Sequence, residues 1–250
     1  MDSDKTSISL NKFISNTGYC SRRAADKLIE EMRVTLNGTI AKSGNRVMEN
    51  DIVKIDGGAL KTKDKTIYIA FHKPVGVSCT TDLSDKANII DYLKYPKRIF
   101  PIGRLDKPSE GLIFLTNDGD IVNKILRAGN NHQKEYVVTV NKPVSAEFIN
   151  RMSGGVNIVS AITQKCIVKK EGKHIFRIIL TQGLNRQIRR MCTALGYQVI
   201  KLVRVRIMNI SLSGIAYGKW RYLTEKEINI ILQMVKTSVK TEEASKLIKD

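Results

Sequence analysis

Hydrophobic and polar positions follow two different periods along this 250-residue chain. Near the N-terminus the period is helical. Leu10, Phe13, Ile14 and Thr17 share one face, and Gly18 is placed to end that helix. Ser21 is a suitable N-cap for a second helix, whose Ala24, Ala25, Leu28, Ile29 and Met32 fall at helical spacing. The period then drops to two. Val34-Thr-Leu-Asn-Gly-Thr-Ile40 alternates across an Asn-Gly turn, a strong hairpin signal, and residues 51–56 read as a further strand. The polar stretch 61–66 reads as a linker, so a small module of two helices and a sheet is expected over residues 8–60.

Beyond the linker strands dominate. Residues 67–71 form a compact apolar run ahead of a turn at Lys73-Pro-Val-Gly76, and 134–140 carry bulky side chains on both faces, as inside a sheet. Further strands are expected around 156–170, 174–181, 199–205 and 207–212, and helices at 87–94, 120–126, 145–152, 186–195 and 225–235. The expected class is α+β: a small module, then a domain over 67–235 on a mixed, mostly antiparallel sheet with flanking helices. Residues 236–250 read as a basic tail.

Within this domain one stretch mixes structure and chemistry. Phe100-Pro-Ile-Gly-Arg-Leu-Asp-Lys-Pro-Ser-Glu-Gly-Leu-Ile-Phe-Leu115 carries Arg104, Asp106, Lys107 and Glu110 on a loop between two apolar runs. Gly103 and Gly111 bracket the loop and Pro108 denies it a regular helix. A carboxylate between cations on a loop held by buried strands suits catalysis, and it equally suits a solvated turn of self-paired charges.

Charge narrows the partner. The formal net charge is +18 and the pI about 9.8. Residues 1–64 hold 11 Lys+Arg against 9 Asp+Glu, whereas the remainder holds 31 against 15, so the larger domain carries most of the field. Between Glu171 and Glu225 no acidic residue occurs, while Lys173, Arg177, Arg186, Arg189, Arg190, Lys201, Arg204, Arg206, Lys219 and Arg221 do. With nothing local to neutralise it, this run points to phosphate binding and hence to nucleic acid. No apolar run is long enough to span a bilayer, and no signal-peptide pattern opens the chain, so a cytoplasmic protein without membrane contact is expected. Cys20, Cys79, Cys166 and Cys192 are widely spaced, and neither they nor His72, His132 and His174 show metal-ligand spacing.

Tyr136 lies mid-strand, where it is either a core phenol or a ring able to stack on an unpaired base. Asn185-Arg186-Gln187 offers donors at a helix N-terminus, and Arg189 and Arg190 point about 100° apart on that helix.

Gly103-Arg-Leu-Asp106, Lys134-Glu-Tyr136 and Asn185-Arg-Gln-Ile-Arg-Arg-Met191, in this order and spacing, resemble the signature segments of RNA pseudouridine synthases. Leu10-Asn-Lys-Phe13, Ser21-Arg-Arg23 and Arg33-Val-Thr-Leu-Asn-Gly38 resemble the S4-type RNA-binding module that precedes the catalytic domain in the bacterial ribosomal branch. The resemblance implies an enzyme that turns uridine into its C-glycoside isomer without metal or organic cofactor. Asp106 would be the nucleophile, Tyr136 the ring that packs on the base and takes a sugar proton, Arg189 (with Arg186 the alternative) the basic partner of the aspartate, and Leu202 a packing residue of the pocket. In a related branch the arginine matching Arg104 fills the gap left by the flipped base, and Lys107, Arg186 and Arg190 would join it on RNA. Lys12, Arg22, Arg23 and Lys27 would dock phosphates. Pro108-Ser109 departs from the family pattern and bears on loop detail. The expected partner is large-subunit ribosomal RNA, with a transfer RNA as a further candidate, and the protein is expected to be a monomer. The alternatives are a non-catalytic S4-type RNA-binding or ribosome-assembly protein, and an N-glycosylase using Asp106 and Glu110.

Overall fold

A computed structural model of the chain describes residues 7–60, 65–126, 131–159, 161–236 and 238. Two units divide it. One runs to Thr66 and includes Tyr95–Arg98; the other holds Ile67–Lys94 and the chain from Ile99 onward. Most of the expected linker and tail lies outside the described residues.

In the first unit β1 (Ile8–Ser9) leads into α1 (Leu10–Asn16), which buries Leu10 and Ile14. α2 (Arg22–Glu30) starts on Ser21, whose Oγ accepts the Ala24 N–H at 3.1 Å, and buries Ala25 and Ile29. Met32 does not join that face. It is 68% exposed at a φ of 57°, because the helix has already ended at Glu31. β2 (Val34–Leu36) and β3 (Thr39–Ile40) form the expected hairpin, with Asn37 and Gly38 both at positive φ, as a type I′ turn requires. β4 (Arg46–Val47) pairs with β1, while β5 (Val53–Ile55) and β6 (Gly58–Ala59) extend the hairpin to the order β3-β2-β5-β6.

The second unit is α+β. Its strands and helices alternate as β7 (Tyr68–Lys73), α3 (Ile89–Leu93), β8 (Phe100–Ile102), β9 (Glu110–Thr116), α4 (Gly119–Leu126), β10 (Lys134–Val140) and α5 (Ala146–Gly154). The hairpin β11 (Asn157–Ile158) and β12 (Ala161–Ile162) follows, then β13 (Ile167–Lys170), β14 (Ile175–Leu180) and α6 (Gln187–Ala194). β15 (Val199–Ile207), β16 (Ile210–Ser211), β17 (Trp220–Tyr222) and α7 (Glu225–Met234) complete it. The main sheet has the order β13-β14-β10-β15-β9-β7-β17, with β16 on β15 and β8 on β9. Among the described residues every pairing in it is antiparallel except β15 with β9.

Two apolar clusters fix the helices to this sheet. Phe148 and Met152 of α5 and Ile188, Met191 and Cys192 of α6 pack on Val138, Phe176, Ile178 and Leu202. Ile121 and Ile125 of α4 and Ile231 of α7 pack on Ala70, Leu112, Phe114 and Ile207. α7 begins with a reciprocal capping box between Thr224 and Glu227. The expected break near residue 206 is displaced. β15 runs on to Ile207 and the chain reverses at Met208 (φ 52°), since Ile207 and Ile210 both belong to the core.

The acid-free run is less unbalanced than its sequence implies. Glu135 accepts from both Arg177 and Arg206 at 2.6 Å, Glu171 pairs with Arg177, Glu110 meets Lys201 at 2.9 Å, and Glu227 meets Arg221 at 2.8 Å. Neutralising carboxylates come from strands and a helix outside the interval, a pairing that local sequence cannot display. Among the described residues no helix is long and apolar enough to cross a membrane.

Candidate active site

Gly111 and Gly103 shape the loop that carries Asp106. Gly111 has φ 119°, and a Cβ there would lie 2.4 Å from the Arg204 carbonyl oxygen and 2.5 Å from its nitrogen. Only glycine lets β9 run this close to β15. Gly103, at φ 77°, would meet Leu126 Cδ2 at 2.7 Å. Between them the chain is pinned from beneath. The Leu105 N–H donates to Cys79 Sγ at 3.3 Å, the Gly76 N–H to the Lys107 carbonyl at 2.8 Å, and the Ser109 N–H to the Asp106 carbonyl at 2.9 Å. Leu105 and Ser109 are buried, leaving Asp106 partly open and Arg104 and Lys107 exposed.

Arg189, in the first turn of α6, reaches across to this loop. Its Nε lies 3.8 Å from Asp106 Oδ2, longer than a hydrogen bond, and the Nε is buried without another partner among the described residues. Nη2 donates to the Pro108 carbonyl at 3.2 Å and to Ser109 Oγ at 3.0 Å, while Nη1 donates to the Val199 carbonyl at 3.3 Å. Burial draws the guanidinium pKa down, Asp106 opposes this, and Arg186 adds to it. Pro108-Ser109, the departure from the family pattern, therefore supplies two of the oxygens that hold Arg189 in place.

The strands supply the floor. Tyr136 of β10 is flanked by Ile178 of β14 and Arg204 of β15, and the β10–β15 register shifts at Glu135/Tyr136. A bulge at that point re-aims the strand beside a site. Leu202, 5% exposed, lies opposite Val138 on the same face. Asp106, Tyr136, Arg189, Leu202, Arg104, Lys107 and Arg186 all line one pocket of about 760 Å³. Arg186 precedes α6 in the left-handed region (φ 50°), and Arg190, outside the lining, donates to Asn185 Oδ1 at 3.2 Å. Glu110 pairs with Lys201 at 2.9 Å.

Local sequence reading missed Lys134, Cys79, Ser109 and Gln182 as lining residues, whereas Gln187 was among the donors it placed at the start of α6. Lys134 stands two positions before Tyr136, a spacing that already puts both on one face of a strand. Gln187 bonds Gln182 at 3.1 Å and the Leu184 N–H at 3.0 Å, fixing the rim ahead of α6.

The remaining candidates lie in the first unit. Arg22 and Arg23 occupy the first turn of α2, which lacks an acidic residue, and Arg22, Arg23 and Lys27 are exposed. Two guanidinium groups at a helix N-terminus oppose its dipole, an arrangement that an arriving phosphate relieves. Lys27 lies 3.7 Å from Glu31, and Lys12 is half-buried on α1.

Comparison with known proteins agrees with this geometry. Residues 67–194 match the RNA pseudouridylate synthase family and residues 9–53 the S4 domain. The dual-specificity RNA pseudouridine synthases RluF of Salmonella typhi and Escherichia coli K12 are each 54% identical over 235 residues, covering 93% of this chain and 81% of theirs. Ribosomal large subunit pseudouridine synthase B of Bacillus subtilis is 33% identical over 228 residues, covering 88% of this chain and 93% of its own. A pseudouridylate synthase crystal structure matches with a TM-score of 0.66 at 27% identity, over 90% of this chain and 99% of that one. A family match across half the chain, and relatives more than half identical along nearly all of it, place the chain in the RNA pseudouridine synthase family, with an S4 domain ahead of the catalytic one.

Proposed function

We propose that this enzyme isomerises one uridine of large-subunit (23S) ribosomal RNA, and a uridine of a transfer RNA as a second substrate. The relatives named as dual-specificity and ribosomal large-subunit synthases support that substrate class. Asp106 is the nucleophile in this reading, Arg189 its cationic partner, Tyr136 the ring against the base and Leu202 the packing surface beneath. The observation that carries it is the 3.8 Å approach of Arg189 to Asp106 in a pocket lined by Tyr136 and Leu202. Arg104, Lys107, Arg186 and Arg190 contact the RNA around the flipped nucleotide. Lys12, Arg22, Arg23 and Lys27 dock phosphates from the S4 domain. The enzyme works as a monomer in the cytoplasm, over a catalytic domain of residues 67–235 and a docking domain of 8–60 joined by 61–66.

A uridine inside paired RNA must first leave the stack, at a cost of a few kcal/mol, which favours loops and bulges as substrates. Release of tritium from ribosomal RNA labelled at uridine C5 tests the assignment. Asp106→Asn is expected to abolish release while RNA affinity stays within twofold. Turnover by that variant would remove Asp106 from the mechanism, and no release by the wild type on 23S RNA would remove the substrate.

A further inference from the structure

Lys134 is buried (7% exposed) at the start of β10, and strand alternation puts it on the same face as Tyr136. Among the described residues its Nζ donates to the His132 carbonyl at 3.2 Å. Arg204, opposite Tyr136 on β15, is equally buried (4%). Its Nε donates to the Leu112 carbonyl at 2.6 Å and its Nη1 to the Arg104 carbonyl at 3.4 Å, whereas Nη2 is buried with no hydrogen-bond partner among the described residues. Both cations line the pocket, beside Ile102, Phe114, Leu126 and Ile207. One end of the pocket is therefore an apolar wall with two buried cations in it.

Among the described residues no carboxylate balances Lys134. Burial first, and then the Arg204 charge, pull its pKa down to about 8. Its other titratable neighbour is His132, whose own pKa is lowered by burial and then by Lys134. The carboxylates of Asp106 and Glu110 act instead on Lys73, a third buried cation, which donates to the Pro74 and Val77 carbonyls. An ammonium kept in an apolar recess against a second cation weakens the fold, so its presence calls for a ligand that brings negative charge.

The reaction supplies one. Moving uracil from an N1 link to a C5 link requires the C1′–N1 bond to break. Its electron pair leaves with the base, spread over N1 and the two carbonyl oxygens, while an Asp106 carboxylate oxygen takes its place on C1′ and departs with its own pair when C5 arrives. C5 then bonds to C1′, C5 gives up a proton and N1 takes one, so atoms and charge balance. We propose that Lys134 is a catalytic residue for this step: its ammonium, backed by Arg204, donates to a carbonyl oxygen of the departing uracil and keeps the ring in the pocket while it turns. Lysine suits a turning ring because its charge is compact and its three donors rotate, unlike the rigid fork of an arginine. The apolar wall offers the ring no directional bond that would arrest it. The proposal rests on the reading of this pocket as the catalytic one and adds a group that reading does not use.

Tritium release from 23S RNA labelled at uridine C5, under single turnover between about pH 6 and about pH 9, tests it. The wild-type rate is expected to fall about tenfold per pH unit above the Lys134 pKa, about 8, as the ammonium loses its proton. Lys134→Arg, always charged, should be slower but without that alkaline limb. Lys134→Met should lose roughly 10²–10³-fold in rate at neutral pH, the scale of a missing transition-state donor. It should bind RNA within twofold of wild type and melt no lower, since a buried unbalanced charge has gone. An unchanged alkaline limb in Lys134→Arg, or a Lys134→Met rate within threefold of wild type, would overturn the proposal. If Asp106→Asn also releases tritium normally, the fault lies in the assignment of the pocket and not in Lys134 alone.

Discussion

Replacing Gly111 by Ala perturbs the one parallel pairing among the described strands of the catalytic sheet. The new methyl would lie 2.4 Å and 2.5 Å from backbone atoms of Arg204, and backbone cannot swing aside as a side-chain tip can. The φ of 119° adds strain for any residue with a Cβ. Overpacking costs about 1–3 kcal/mol and an unfavourable backbone conformation about as much again, so roughly 2–6 kcal/mol is expected in all. At about 2–4 °C per kcal/mol for a domain of this size, the melting temperature should fall by roughly 4–24 °C. The single tryptophan, Trp220, sits on β17 of the same sheet, so its fluorescence follows this unit rather than the S4 unit during urea or thermal unfolding. Gly214→Ala, in the same unit, is the control, because its φ of 77° carries strain but a Cβ there meets nothing within 4 Å. Catalysis should fall with stability, since Arg204 and Asp106 are both placed by this pairing. A Gly111→Ala protein that unfolds within about 0.5 kcal/mol of wild type would refute the reasoning, because that is the scatter of an ordinary surface substitution.

Two further outcomes follow from particular contacts. Glu227 is held by the Arg221 guanidinium and by the N-cap of α7, which bring its pKa to about 2 although burial pushes it the other way. A depressed carboxyl pKa stabilises above the unfolded value near 4.5 and stops doing so as the pH falls toward 2. The melting-temperature gap between wild type and Glu227→Gln should therefore be full at neutral pH and shrink through that acid window; a pH-independent gap would refute it. In the S4 unit, Arg23→Ala should weaken RNA binding at low salt and make log Kd against log salt shallower by about 1, as expected for one lost phosphate contact. An unchanged slope, measured by filter binding across a salt series, would take Arg23 off the RNA.

The elements legible in the sequence are those whose cause is local. Ser21, the Asn37-Gly38 turn and the apolar spacing of α1 and α2 needed no tertiary information. What was not legible depends on distant partners. The acid-free interval looked unbalanced because Glu110 and Glu135, which neutralise Lys201, Arg177 and Arg206, lie on strands far earlier in the chain. Glu110 read as a loop residue beside Asp106, and its Lys201 partner could not be seen locally. The spacing around Cys79 gave no hint of its contact, since a thiol accepting the Leu105 N–H is a contact only the fold creates. Arg204 read as another RNA-facing cation, yet it is buried and tied to two main-chain carbonyls.

That burial explains why the site depends on a strand order rather than on one loop. β15 lies between β10, which carries Tyr136 and Lys134, and β9, which leads out of the Asp106 loop. Arg204 faces Tyr136 on one side and Gly111 on the other, and its guanidinium holds the carbonyls of Arg104 and Leu112 from both ends of the loop. A shift of β15 by one residue would turn Arg204 and Leu202 to the opposite face and put Val203 and Val205 in their places. The loop would lose its support and the pocket its floor together. The missing side chain at Gly111 is what permits the parallel approach, and the long side chain at Arg204 makes use of it. The Asp106 loop and the Tyr136 strand are thus set by one backbone contact, which is why a methyl group at Gly111 is expected to reach both.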